Sequence, residues 1–225
     1  MLGFSNEVRN LGFYFDKELS LEHQLKKVKA KTVGNLINIS RIAKYLDKNA
    51  RLKLVHGLIL SHLDFSNPLY VGLPNNKLRQ LQLLINDSAR LVAGLPKFSR
   101  ERVTPICIDL HLLPIKARIT FKICLLTYKA LNFGQPAYLR ELLHFREQTR
   151  TLRVNLNDRL QEPIFSQSNY SNRCFSYCAP RFCNALPDSV RASPSIHVFK
   201  KRLKTHLFTQ AYDLDNFVVS PDYFV

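Results

Sequence analysis

The stretch SLEHQLKKVKAKTVGNLINISRIAKYL, residues 20–46, decides the fold. Leu21, Leu25, Val28, Thr32, Leu36, Ile39, Ala43 and Leu46 step by 4, 3, 4, 4, 3, 4 and 3. At 3.6 residues per turn this spacing lays one stripe along a helix of about seven turns. Ser20 stands where its N-cap is wanted. The other face carries Lys26, Lys27, Lys31, Arg41 and Lys44. The segment is therefore a long, basic, amphipathic helix that needs apolar partners.

Those partners follow in sequence. KNARLKLVHGLILSHL (48–63) places Leu52, Val55, Ile59 and Leu63 in helical register, and a third helix over 75–93 aligns Leu78, Leu81, Ile85, Ala89 and Val92. Gly94 ends that helix and Pro96 forbids its continuation. Residues 97–114 read as a connector with a short apolar element. IKARITFKICLLTYKAL (115–131) is apolar over a wide arc and predicts a central helix, with a shorter one over 137–144. Periodicity then disappears over 145–172, which reads as a long irregular loop. A short helix near 175–185, a turn, and a last helix over 195–210 complete the chain. In that last helix Ile196, Phe199, Leu203 and Leu207 face inward, while Lys200, Lys201, Arg202 and Lys204 lie outward or at the flanks.

Upstream, VRNLGFYF (8–15) reads as one strand, and DKELS as the turn into the first helix. A lone strand is not stable. It would pair with the tail or with the 145–172 loop, or belong to a sheet outside this sequence. The expected architecture is mainly α: a helical bundle preceded by one β-strand. It divides into strand and turn (1–19), a helical domain (20–96), a C-terminal helical region with its loop (97–212), and a frayed tail (213–225).

Charge narrows the partners. Thirty-three Lys and Arg against 17 Asp and Glu give +16 and a pI near 9.9. The magnitude exceeds the roughly 2–8 that suits a small soluble domain. Such a field attracts polyanions: nucleic acid first, acidic membrane surfaces second. Between Glu22 and Lys53 stand nine basic residues against two acidic ones, so the first two helices concentrate the charge. No run approaches the roughly 20 apolar residues of a membrane span, and no secretory signal opens the chain, so an intracellular, reducing setting is expected.

Chemistry is sparse. Two-metal polymerase or nuclease catalysis needs converging carboxylates, yet no two acidic residues are adjacent, and Asp16/Glu18 and Asp213/Asp215 fall in a turn and in the tail. No Gly-rich phosphate loop and no G-x-S-x-G elbow occur. His56 and His62 point about 120° apart on a helix and read as flank residues, and Asp64 is expected to close that helix or to bond locally to backbone amides. RCFSYCAPRFCNALP (173–187) holds three cysteines as C-x3-C-x4-C, without the C-x2-C knuckle of most structural zinc sites. On a helix Cys174 and Cys178 share a face with Phe182, and Cys107 and Cys124 sit among Ile and Leu. The cysteines read as packing residues, with no metal and no cofactor.

A set of segments occurs in a telling order: LGFYFDKELSLEHQL, SHLDFSNPLYVGLP, LQLLINDSARLV, LHLLPIKARITFKICLLTYKAL, PAYLRELL and RCFSYCAPRFCNALPDSVRASPSIHVFKKRLKTHLF. From about residue 8 to 210 the chain resembles the region downstream of the catalytic palm in reverse transcriptases of jockey-like LINE-type (non-long-terminal-repeat) retrotransposons. That family's R-x-F-S-x-x-A-P-x-x-W-N-x-L-P pattern is matched by Arg173, Phe175, Ser176, Ala179, Pro180, Asn184, Leu186 and Pro187. Cys183 replaces the family's Trp, a large-to-small change that leaves room for looser packing. The resemblance makes VRNLGFYFD the primer-grip strand, with Leu11, Gly12 and Phe13 as its core, and residues 20–94 the thumb. The family's catalytic F/Y-A-D-D and its upstream metal-binding aspartate have no counterpart.

The resemblance thus implies a non-catalytic fragment of an RNA-directed DNA polymerase, binding RNA or an RNA–DNA duplex without sequence preference. Lys26, Lys27, Lys31, Arg41, Lys44, Lys48, Arg51 and Lys53 would contact phosphates, with Lys200, Lys201, Arg202 and Lys204 as a second set. An upstream palm of the same element would be a further partner; a membrane would not. Two alternatives stand beside it: a helical protein-interaction or structural domain, and a relic reading frame without function.

Overall fold

A computed structural model describes residues 6–96, 98–146, 159–163 and 173–212. Most of the expected loop and all of the tail lie outside the described residues. The chain is mainly helical, as its periodicity predicts.

The N-terminal segment corrects the single-strand expectation. Glu7–Asn10 (β1) and Phe13–Asp16 (β2) pair antiparallel with each other, Asn10 opposite Phe13 and Glu7 opposite Asp16. The two residues between them, Leu11 and Gly12, have φ of 49° and 87°. Positive φ at both central positions is what a type I′ hairpin turn demands. Gly12 adopts it without strain, whereas Leu11 is held there with a side chain 91% exposed. The expected lone strand is thus two strands paired with each other, and β2 packs on the first helix.

Helix α1 spans Glu22–Ile42 and runs on through a 3-10 turn at Ala43–Tyr45. Its N-terminus also departs from expectation. The N-cap position is Leu21, in the left-handed region at φ 58° with no side-chain cap. Ser20 Oγ still accepts the first helical amide, Glu22 N, at 3.4 Å, while Asp16 holds the residues just ahead of the helix: its carboxylate accepts the Ser20 and Leu21 amides, both at 2.6 Å, and the Ser20 hydroxyl at 3.2 Å. A carboxylate at the entry of a 21-residue helix also meets the positive end of its dipole. The end of β2 and the start of α1 are thereby one hydrogen-bonded unit.

The expected second helix is continuous but irregular. α2 (Lys48–Val55), capped by Asp47 accepting from Ala50 N at 2.6 Å, passes through a π-helical segment at His56–Leu60 into α3 (Ser61–Asp64). A π segment inserts one residue into the turn. Its loosened carbonyls are taken up by side chains: Ser61 Oγ donates to Gly57 O, and Asn35 Nδ2 of α1 donates to Leu58 O at 2.6 Å.

α4 (Asn75–Ala93) matches the sequence reading, with Leu78, Leu81, Ile85, Ala89 and Val92 all buried. It closes on Gly94 at φ 75°, where Leu95 N reaches Arg90 O at 2.9 Å and Gly94 N reaches Leu91 O at 3.2 Å, a Schellman motif. The connector holds α5 (Val103–Asp109). α4 packs on α1, α2 and α5, and β2 packs on α1.

Two compact units result. The described residues up to Asn67, with Leu73–Ile115, form the first; Pro68–Gly72, with those from Lys116 onward, form the second. The division falls at residue 115, beyond the expected 96, because α5 packs against α4.

The second unit contains α6 (Ile115–Phe133) from Lys116, α7 (Ala137–Arg140), α8 (Phe175–Asn184), α9 (Asp188–Arg191) and α10 (Ile196–Tyr212). α7 is shorter than the expected 137–144. Tyr128 joins α6 to α10, stacking on Phe199 at 4.2 Å and donating its hydroxyl to Ser193 O at 2.8 Å. Leu203 and Leu207 complete the inward face of α10, each worth about 1.5–3 kcal/mol of burial.

Candidate nucleic-acid interface

On α1, Lys26, Lys27, Lys31 and Arg41 are all exposed, opposite the buried Leu21, Leu25, Val28, Thr32 and Ile39. At 100° per residue the four cations fall within about 140° of arc, and Lys27 and Arg41 stand about 21 Å apart along the axis. No acidic residue interrupts the chain between Glu22 and Asp47. Lys27 and Lys31 form a like-charged i,i+4 pair, which costs about 0.2–0.5 kcal/mol in a helix and is relieved by a polyanion. Lys44, in the 3-10 turn, lies 4.7 Å from the centre of the Tyr45 ring, itself 76% exposed.

The face is not uniformly positive. Lys26 and Lys27 line a cleft of about 500 Å³ with Glu7, Asp16, Glu18 and Glu22. Burial alone would raise the Asp16 carboxyl, but the bonds from the Ser20 and Leu21 amides outweigh it and hold it below the ordinary range. It stays charged at neutral pH and offsets part of the lysine field. The net positive end of α1 is its C-terminal two-thirds.

The cations expected on α2 divide in use. Lys53 is exposed, with no ion-pair partner among the described residues. Lys48 Nζ sits 2.6 Å from Asp109 of α5, and hydrogen bonding to Lys48 draws that carboxyl down. Arg51 points inward: Nη1 donates to Leu91 O at 3.2 Å and Nε to Asp47 O at 3.4 Å. It serves the C-terminal end of α4, where carbonyls carry the negative pole of the dipole.

In the second unit Lys201, Arg202 and Lys204 are exposed and Lys200 half-buried. They fan over about 200° of α10 rather than lining one stripe, and Arg202 Nη1 is engaged with Ser189 O at 2.7 Å.

Leu11 and Gly12 form the hairpin tip, and Phe13, 2% exposed, faces the core. The hairpin also brings in a cation that the sequence reading missed. The register sets Arg9 opposite Tyr14, with Arg9 Cζ 5.6 Å and Lys27 Nζ 5.9 Å from the Tyr14 ring centre. Tyr14 in turn stacks on His23 at 4.7 Å, and His23 Nδ1 meets Glu7 Oε2 at 2.6 Å. Reading 8–15 as one strand separated Arg9 from Tyr14; the Leu-Gly pair, read as a turn, joins them. Lys29, exposed on the flank of α1, was also left out of the set.

The cysteine-rich segment holds structure together. Cys178 and Cys183 are buried in α8, as are Cys107 and Cys124, but Cys174 is exposed at the N-cap position, correcting its expected place on the packed face. Burial pushes the Cys178 thiol up to about 12, and a hydrogen bond with Cys183, together with burial, raises Cys124 well above the ordinary range. Among the described residues no group of three or more His, Cys, Asp or Glu converges as a metal site. Asn184 acts as a clasp: Oδ1 accepts Leu160 N and Nδ2 donates to Leu160 O, both at 2.9 Å. It reproduces with one side chain the two-way pairing of a β-bridge.

No helix among the described residues is long and apolar enough to cross a membrane. Comparison with models of known protein families, with curated proteins and with solved structures gives no match.

Proposed function

We propose that the chain derives from the thumb and C-terminal region of a LINE-type reverse transcriptase and holds the backbone of RNA or an RNA–DNA duplex without catalysing a reaction. The observation that carries this reading is the exposed basic arc of α1, set opposite its buried stripe and extended by Lys44. The ordered segments from residue 8 to 210 support the origin, and the absence of an F/Y-A-D-D counterpart supports the lack of catalysis. Phosphate contacts of this kind position a backbone without reading bases.

The engaged state of Arg51 and Lys48 reduces the number of phosphate contacts. With Lys27, Lys31, Arg41 and Lys44 as four contacts, affinity falls about 150-fold between about 50 and 200 mM salt. The test is binding of the full chain to a labelled RNA–DNA hybrid across that range, beside a variant with all four reversed to Glu. The expected result is a steep salt slope that the variant loses. Affinity indifferent to salt, or to the four changes, sinks the proposal. A second reading, a protein-interaction domain, is favoured by one feature: an apolar groove beside this face.

A further inference from the structure

The stripe of α1 is not covered to its end. Leu21, Leu25, Val28 and Ile39 are buried, but Leu36, Ala43 and Leu46 are only half-buried. These last three, with Ile37 at 47% exposure, form one wall of a groove of about 830 Å³ within the first unit. Leu91 and Leu95, at the C-terminal end of α4 and just beyond it, form the other.

Its charge is one-sided. Three cations, Lys44, Arg51 and Arg90, line it against one carboxylate, Asp87. Arg51 is committed to Leu91 O. Arg90 is not satisfied: Nη1 stands 3.8 Å from Asp87, beyond hydrogen-bond reach, and Nε has no partner among the described residues. A largely covered guanidinium in that condition calls for an acceptor.

We propose that this groove takes an acidic amphipathic helix of another protein. The α1 wall from Leu36 to Leu46 is about 15 Å long, room for nearly three turns of a bound helix. Two helical walls of aliphatic side chains suit apolar anchors at i, i+3 and i+7. Carboxylates flanking those anchors meet Lys44 and Arg90, whereas a basic helix meets them with repulsion. The aliphatic walls favour an occupant that brings apolar anchors as well as negative charge, which a phosphate backbone does not.

The probe is a labelled 14-residue helical peptide with Leu anchors at that spacing and Glu elsewhere, titrated onto the full chain at about 150 mM salt. Two peptides control it: the same anchors with Lys for Glu, and a scrambled sequence of the same charge. The anchored Glu peptide should bind saturably and at least about tenfold more tightly than either control. Ser40→Trp, which fills the groove from an exposed position, should abolish binding. Arg90→Met, which leaves the apolar walls and Lys44, should narrow the preference for Glu over Lys at least about threefold. Equal binding of the scrambled peptide overturns the proposal, as does absence of binding or a Glu preference that Arg90→Met leaves unchanged. If Ser40→Trp fails to fold by circular dichroism, Arg90→Met alone decides.

Discussion

Replacing Arg51 with alanine separates structure from binding at one residue. By sequence Arg51 belongs among the phosphate contacts; in the fold its guanidinium closes the end of α4 on Leu91 O at 3.2 Å. A hydrogen bond from a charged donor contributes about 1.5–3 kcal/mol net, and a cation at a helix C-terminus about 0.3–1 kcal/mol more. Arg51 is half-buried, so solvent screening puts the expected loss near the bottom of the sum, about 2 kcal/mol. Urea unfolding followed by far-UV circular dichroism measures it, since the chain has no Trp. Gly94 supplies the cross-check. A Cβ built there would stand 2.9 Å from Arg51 Nη1, at a φ of 75°. Gly94→Ala should therefore cost about 1–2 kcal/mol from the left-handed backbone and displace the guanidinium as well. The two losses overlap, so the double variant should be less destabilised than their sum by about 0.5–1 kcal/mol. Hybrid affinity should change less than about twofold, for lack of a lost phosphate contact. If Arg51→Ala leaves stability untouched and costs tenfold in affinity, the side chain serves the ligand and the assignment is wrong.

Asp16→Ala, which removes both acceptor oxygens, should destabilise the chain by about 1–2 kcal/mol at neutral pH, as lost caps do. Because the folded carboxyl titrates below its unfolded value of about 3.9, the wild-type advantage should be full above that value and shrink as pH falls below it through the folded one; an advantage that does not shrink below the unfolded value refutes the assignment. Leu11→Asn should stabilise by about 0.5–1 kcal/mol, since Asn tolerates positive φ and the exposed leucine packs on little; a loss in the same urea assay would mean that Leu11 makes contacts worth more than its strain. Thiol titration of the native chain should show Cys174 reacting at once and the other four cysteines only on unfolding; rapid native reaction of two or more thiols would contradict the burial of α8.

The helices were legible because burial imposes a period. In α4 the i, i+3, i+4 pattern and the terminal glycine name the same boundaries as the backbone does. What escaped was set by local geometry without a period. The hairpin hid inside an apolar run because a Leu-Gly pair is a weak turn signal beside Asn-Gly. The part of Asp16 in the helix entry was passed over since it reaches Leu21 across the turn, from the end of a strand and five residues ahead. For the candidate interface, the α1 cations could be read from angle alone. Arg51 and Lys48 could not, because their partners, Leu91 and Asp109, lie 40 and 61 residues away.

The π-helical turn between α2 and α3 is a residue of slack written into a rod. Val55, Ile59, Leu60 and Leu63 are all essentially inaccessible to water, and the turn at His56–Leu60 takes up an extra residue between them. Removing Gly57, which is exposed and crowded by nothing within 4 Å, would let that turn relax to ordinary α geometry at no steric cost. Leu63 would then stand seven α-helical residues beyond Val55, within about 20° of the same face, so the buried side is kept. The extra residue is thus slack that the rod can give up: what is held fixed is the phase of the buried residues on either side, rather than the length between them.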